Sequence, residues 1–442
     1  MNLKKFFIHR ERGAALGVPE LIAIALGGMV GGGIFSILGV SAAMIGAYTP
    51  IAIVIGGGTA ALAAYSYVQL GVYYRDEGAT YSFMKRAFPN APFAASLIGW
   101  WVIFGYISTL ALYAYTFSSY TISGSAFADN MIVRRAVACG IIAVFALINL
   151  YSVRGMGKLE DLMVYTKLVI LVVISFVLIN NGKKTLPVLF AEQAGGFPVA
   201  GIAIVSSITF VAYEGFQLVI NAVGEMDDPA RSIPRAIYTA IFLAVLIYVV
   251  IAIGALMAIP LDQIVKDKEY ALATGAREVL GSLGRELVIA GAILATCSAI
   301  SGTAFGASRQ MAVIAQDGYF PAFLALRRER IPTNAILVMS LLACVLILSG
   351  GLQLILEFGS ITFLLVSFLI AAANFRVRDK TGSSTAVTVL AMALLLFGFG
   401  TILWYEVRNH ADQFAFVMCI YALLTAGSWI YSRKRGIGDQ RK

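Results

Sequence analysis

The sequence predicts an all-α integral membrane protein of twelve transmembrane helices, and three observations predict it. Hydrophobic residues make up 60% of the 442, charged residues only 13%, and the mean hydropathy is +0.85. A soluble domain carries about a quarter charged residues, so a soluble enzyme, a disordered regulator and a disulfide scaffold are all excluded. Twelve apolar stretches approach or exceed the roughly 20 residues that a bilayer requires. Finally, 23 of the 33 lysines and arginines fall on one side of that twelve-span plan, nine on the other, and Lys167 on neither. The net charge of +9 therefore marks topology by the positive-inside rule and not a nucleic-acid partner.

The stretches run at 19–44, 50–74, 92–122, 134–152, 160–181, 198–222, 234–259, 286–315, 334–350, 352–375, 386–404 and 413–432. Residues 1–18 form an N-terminal segment with Lys4, Lys5, Arg10 and Arg12 before an apolar run too long for a signal peptide. The ninth and tenth spans are separated only by Ser349, Gly350 and Gly351. A basic tail, 433–442, follows Trp429 and Tyr431, an interfacial aromatic anchor. Both termini are expected in the cytoplasm. Two histidines at opposite ends, His9 and His410, exclude a poly-histidine metal centre. The cysteines (Cys139, Cys297, Cys344, Cys419) lie inside apolar runs and read as spare buried thiols. No metal and no cofactor is expected.

Two spans contain interruptions. The first reads Leu26-Gly27-Gly28-Met29-Val30-Gly31-Gly32-Gly33-Ile34-Phe35. Each glycine costs about 1 kcal/mol in a helix relative to alanine, and lipid offers freed backbone groups no partners. The run therefore predicts a break that lines a site, with close packing through small residues as the alternative. The sixth span carries Phe210-Val211-Ala212-Tyr213-Glu214-Gly215-Phe216, a glycine beside an acid. Glycine-interrupted helices in corresponding places point to inverted repeats with a binding site at the midplane. Helices 1–5 (19–181) and 6–10 (198–375) are the repeats of a ten-helix transport core at 19–375, and 376–432 holds the two extra helices. The amides of Gly31, Gly32 and Gly33 suit a carboxylate at the positive end of a helix. The carbonyls of Val211, Ala212 and Glu214 suit an ammonium, and the two together describe an amino acid.

These residues resemble the amino acid–polyamine–organocation (APC) superfamily. Met29-Val30-Gly31-Gly32-Gly33-Ile34-Phe35 is similar to its first-helix signature. Ala212-Tyr213-Glu214-Gly215-Phe216 with Gly224-Glu225-Met226-Asp227-Asp228-Pro229 resembles its sixth helix and following loop, and Ala307-Ser308-Arg309 through Ala315-Gln316-Asp317-Gly318-Tyr319-Phe320-Pro321 the stretch after its eighth. The resemblance implies the five-plus-five inverted repeat, a plasma (cell inner) membrane location and amino acid transport. Lys167 is similar to the fifth-helix lysine of proton-coupled, sodium-independent members. By that match it replaces a sodium ion, with carbonyls near Gly28 and Met29 and the hydroxyl of Ser298 as its partners. Two positions depart from the pattern: Gly32 stands where serine is common, and Gln217 where some acid-resistance exchangers carry a glutamate.

A lysine near a helix centre costs about 2.5–3.5 kcal/mol on insertion scales and marks a pathway or a pair. Lys167 is read either as the group that couples transport to protons or as a static partner of Glu214. Glu214 has three readings: it attracts a cationic side chain, carries the proton, or caps loosened backbone. Phe210, Tyr213 and Phe216 are gate candidates, with plain packing as the alternative. Glu357 is placed near water and given no role. The expected function is secondary active import of amino acids by proton symport. An amino acid exchanger with Lys167 as a fixed strut, or a sensor that moves nothing, are the alternatives. No filter repeat marks a channel, no base is available for an intramembrane hydrolase, and no P-loop for direct ATP drive. The oligomeric state is left open.

Overall fold

Helix follows helix along the whole described chain, with one isolated bridge between Arg328 and Ile331. The computed structural model describes residues 16–76, 78–151, 156–191, 197–267, 270–328 and 331–439. His9, the four basic residues of the N-terminal segment, Arg154, Lys268, Arg330 and the end of the tail lie outside the described residues.

Among the described residues, twelve spans make up the bundle. The first is two helices, Val18–Met29 and Gly33–Ile45. Thr49–Tyr74, Pro92–Ile122, Met131–Tyr151 and Met156–Asn180 complete the first five. The sixth runs as Val199–Ile208, a tight 3-10 turn at Thr209–Tyr213, and a short helix at Leu218–Asn221. Pro229–Ala258, Ala271–Gln316, Thr333–Ser349 and Leu352–Thr381 complete the second five, and Thr385–Asn409 and Ala411–Asp439 close the chain.

Several helices outrun their apolar cores. The seventh starts at Pro229, ahead of the expected 234, because the Asp228 carboxylate caps the Arg231 amide at 3.3 Å. The eighth span proper runs from Gly281, ahead of the expected 286, and a preceding helix that starts at Ala271 meets it there across a non-helical turn with φ +66° and ψ −152°. The tenth continues to Thr381 and ends on Gly382 in the left-handed conformation. Apolarity reports the thickness of the hydrocarbon and caps report the helix, so the two differ at the ends.

The third span forms the axis, packing against the fourth, eighth, ninth, tenth and twelfth. The most apolar stretch of the tenth span is 83% buried within the protein, and that of the twelfth only 22%. Core and lipid-facing helices are thereby separated. Trp429 stays exposed with the Arg433 guanidinium 4.1 Å from its ring centre, an arrangement suited to an interfacial belt. Cys419 is exposed, and the other three cysteines are half-buried instead of sealed in the core.

Candidate functional site

The first break is short. Val30 leaves the helix at ψ 67°, the Gly31 amide folds back onto the Met29 carbonyl at 2.9 Å, and a new helix starts at Gly33. The Gly31 amide is thus used within the break, leaving those of Gly32 and Gly33 at the head of the second half-helix, where the first amides have no intrahelical acceptor. The glycines are also tightly enclosed. A methyl group on Gly31 would stand 2.7 Å from the Tyr113 ring and 2.8 Å from Ala299. One on Gly32 would stand 2.8 Å from Thr116 Oγ1, and one on Gly33 2.9 Å from Ala212 Cβ. Close approach and exposed amides, posed as alternatives by the sequence, occur together here.

The second break lies against the first. Gly215 has φ +129°, and a Cβ there would fall 2.5 Å from the carbonyl carbon of Gly28. The two irregular spans cross backbone on backbone. Buried tyrosines from other spans serve the loosened carbonyls. Tyr113 donates to Gly28 O at 3.1 Å, and the Tyr248 hydroxyl stands 2.7 Å from Met29 O and 3.0 Å from Ala212 O. Val211 O accepts from the Glu214 amide at 3.2 Å. Of the carbonyls expected to hold an ammonium, that of Val211 therefore already carries one protein donor, and that of Ala212 shares the single Tyr248 hydrogen with Met29 O. A carbonyl has a second lone pair for a ligand.

Lys167 is fully buried in the fifth span. Its ammonium donates to the carbonyl of Gly27 at 3.1 Å and to Ser298 Oγ at 2.9 Å, joining spans one, five and eight. The carbonyl is one residue earlier than expected, because the carbonyls of Gly28 and Met29 are turned toward Tyr113 and Tyr248. The proposed static pair with Glu214 does not form. Glu214 Oε2 accepts from Gln217 Nε2 at 2.7 Å, and its Oε1 is buried with no hydrogen-bond partner. Gln217 in turn accepts from the Gly215 amide at 3.0 Å, which fixes the whole turn.

The gate candidates are packed in this arrangement. Tyr213 donates to Ile53 O at 2.7 Å, Phe216 meets Tyr67 edge-on at 5.3 Å, and Phe210 lies in the core. Glu357, expected near water, is 1% exposed. It faces Glu406 of the eleventh span, itself 1% exposed with both oxygens unpartnered.

At the face bearing the described termini, Asp317 Oδ2 accepts from Tyr81 and Lys85, each at 2.6 Å. That contact joins the helix Ala79–Ala87 to the end of the eighth span. A cleft of about 490 Å³ opens on the same face, lined by Arg75, Asp76, Val223, Gly224 and Pro229. Half-burial alone would raise the Asp76 carboxyl, but the Gly78 amide and Arg86 outweigh it and hold it below the usual carboxylate range. Its lining includes no residue of either break.

Sequence reasoning missed the tyrosines. Tyr106, Tyr113 and Tyr120 recur every seven residues along the third span, which places them on one helical face. That stripe was the available signal. Tyr248 has none, since its partners are 219 and 36 residues away.

Ten spans around two crossed, broken ones define a polytopic membrane protein with the architecture of secondary transporters. A family model described as amino acid permease matches residues 16–425, and the chain belongs to that family, within the APC superfamily. The inner membrane transport protein YbaT of Escherichia coli is 30% identical over 404 residues, covering 88% of this chain and 91% of its own. The uncharacterised protein MJ0609 of Methanocaldococcus jannaschii is 28% identical, covering 88% and 89%. Cationic amino acid transporter 7 of Arabidopsis thaliana is 26% identical, covering 89% of this chain and 70% of its own.

Proposed function

We propose that this protein imports amino acids across the plasma membrane with protons, by alternating access around the crossed breaks. The α-carboxylate is held by the amides of Gly32 and Gly33, and the ammonium by the free lone pairs of the Val211 and Ala212 carbonyls and by the Glu214 carbonyl. The terminal face is cytoplasmic, in keeping with the distribution of lysine and arginine. The observation that carries the reading is the ammonium of Lys167 on Gly27 O and Ser298 Oγ. It ties the first break to the eighth span from a position where the only removable charge is a proton, and no sodium site is called for.

The same two hydrogen bonds also suit an exchanger, in which Lys167 is a permanent strut. Uptake of a panel of labelled amino acids into liposomes, with and without an inward proton gradient, separates the two. With a titrating lysine, Lys167→Ala and Lys167→Arg both abolish gradient-driven accumulation, because arginine is never deprotonated in a protein. Concentrative, pH-driven uptake by a stable Lys167→Arg protein overturns the proton-coupled reading.

A further inference from the structure

Away from the crossing, two further acids are enclosed in the bundle. Glu357 of the tenth span and Glu406 of the eleventh are each 1% exposed, with their carboxyls within hydrogen-bond reach of one another. Gln353 Nε2 donates to Glu357 Oε1 at 2.8 Å, while Glu357 Oε2 and both oxygens of Glu406 have no hydrogen-bond partner. Among the described residues no lysine or arginine forms an ion pair with either acid. Arg408 is exposed and lies over the Trp404 ring at 5.0 Å, and Asp412 is exposed at the start of the twelfth span. Tyr405 neighbours both carboxyls, and His410 Nε2 stands 3.3 Å from Gln353 Nε2. The second, third, sixth and twelfth spans also pack against this pair of helices, and none brings a charged side chain to the two acids.

Two facing carboxylates cannot both stay ionised away from water, because like charge and desolvation act against them together. A proton on either one turns an acceptor into a donor. A single O–H···O bond then satisfies Glu357 Oε2 and one Glu406 oxygen at once. The place gives that bond leverage. Ser360, three residues on from Glu357, donates to Ile208 O at 2.6 Å, and Thr401, five residues before Glu406, has its hydroxyl 3.1 Å from Ser207 Oγ. Ser207 and Ile208 end the first half of the sixth span, next to the turn that opens its break. The tenth and eleventh spans thus both hold that half-helix, and the carboxyl pair joins them to each other beside it. Gln353, Tyr405 and His410, all half-buried, cover the pair on the side away from the described termini.

We propose that Glu357 and Glu406 form a proton-binding site separate from Lys167, which takes its proton from the face opposite the described termini and uses it to bond the eleventh span to the tenth beside the sixth. The site holds whether or not Lys167 titrates, and whatever substrate is carried. The test is infrared difference spectroscopy on the purified, full-length protein at neutral pH, wild type minus Glu357→Gln/Glu406→Gln. Glu214 and the remaining acids are common to both proteins and cancel. A positive carbonyl stretch of a protonated carboxylic acid, shifted down in heavy water, is expected. Either single glutamine variant serves if the double one does not fold, because it too removes or displaces that band. A difference spectrum with carboxylate bands alone overturns the proposal. Melting curves give a second readout. While the folded protein keeps a proton that the unfolded chain has released, each pH unit costs it about ten-fold in its folding equilibrium. A glutamine amide carries its donor at every pH, whereas the acid pair must draw its proton from solution. The stability gap is therefore expected to widen in the double variant's favour as pH rises, up to the pH at which the band is lost. A gap that stays constant over that range overturns the bonding of the two spans.

Discussion

Replacing Gly215 by alanine is the most direct test of the crossing. The residue has φ +129°, a conformation that costs a residue with a side chain about 1–3 kcal/mol. The added carbon would also stand 2.5 Å from the carbonyl carbon of Gly28 and 2.7 Å from the Met29 nitrogen, both backbone atoms with no rotamer to change. Ordinary contact begins at 3.4 Å, so the two spans would have to part by about 0.9 Å. Parting them takes one of the two carbonyls, now 2.7 and 3.0 Å from the Tyr248 hydroxyl, out of its reach, adding about 1–3 kcal/mol for the one left without a donor. The total loss is about 2–6 kcal/mol. Gly382→Ala supplies the control, because Gly382 has φ +68° but nothing within 4 Å of the new methyl. Its cost is the conformational part alone, about 1–2 kcal/mol. Both variants are purified in detergent, checked for a single species by size exclusion, and unfolded by heat alongside the wild type. If Gly215→Ala melts no lower than Gly382→Ala, the spans are not in rigid backbone contact and the reasoning fails.

Two further outcomes follow from buried polar groups. Tyr248→Phe removes the hydroxyl that Met29 and Ala212 share, and is expected to destabilise the protein by about 1–3 kcal/mol in the same thermal assay; an unchanged transition would show that neither carbonyl depends on it. Glu406→Gln brings an amide donor to the facing Glu357 carboxyl, where three carboxyl oxygens now have no hydrogen-bond partner. A rise of about 1–3 kcal/mol is expected, and a folded variant that melts at or below the wild-type temperature refutes it.

The spans and the places where two of them break were legible because both are local properties. Twenty apolar residues or three successive glycines announce themselves within one window. Even Ser349, Gly350 and Gly351 sufficed to divide spans nine and ten, whose helices end at Ser349 and begin at Leu352. What was not legible joins residues far apart. Glu357 looked solvent-facing from its position near a helix start, and only the eleventh span, packed alongside, encloses it with Glu406. Gly28 and Gly215 each read as part of an interruption in its own span, whereas together they let two backbones touch 187 residues apart. Lys167 was conspicuous from composition alone, but the choice of Gly27 over Gly28 as its acceptor depends on which carbonyls Tyr113 and Tyr248 had already claimed.

The Tyr248 hydroxyl has one hydrogen and stands within reach of two carbonyls, one on each broken span. At any instant one of them holds the bond and the other waits. If spans one and six move apart during a transport cycle, the phenol stays with either partner and keeps a full hydrogen bond throughout. The seventh span then acts as a pawl that can engage either of two teeth, so the release from one is compensated by the grip on the other. A contact built in this way resists random loosening of the centre while adding little to the barrier for an ordered exchange of sides.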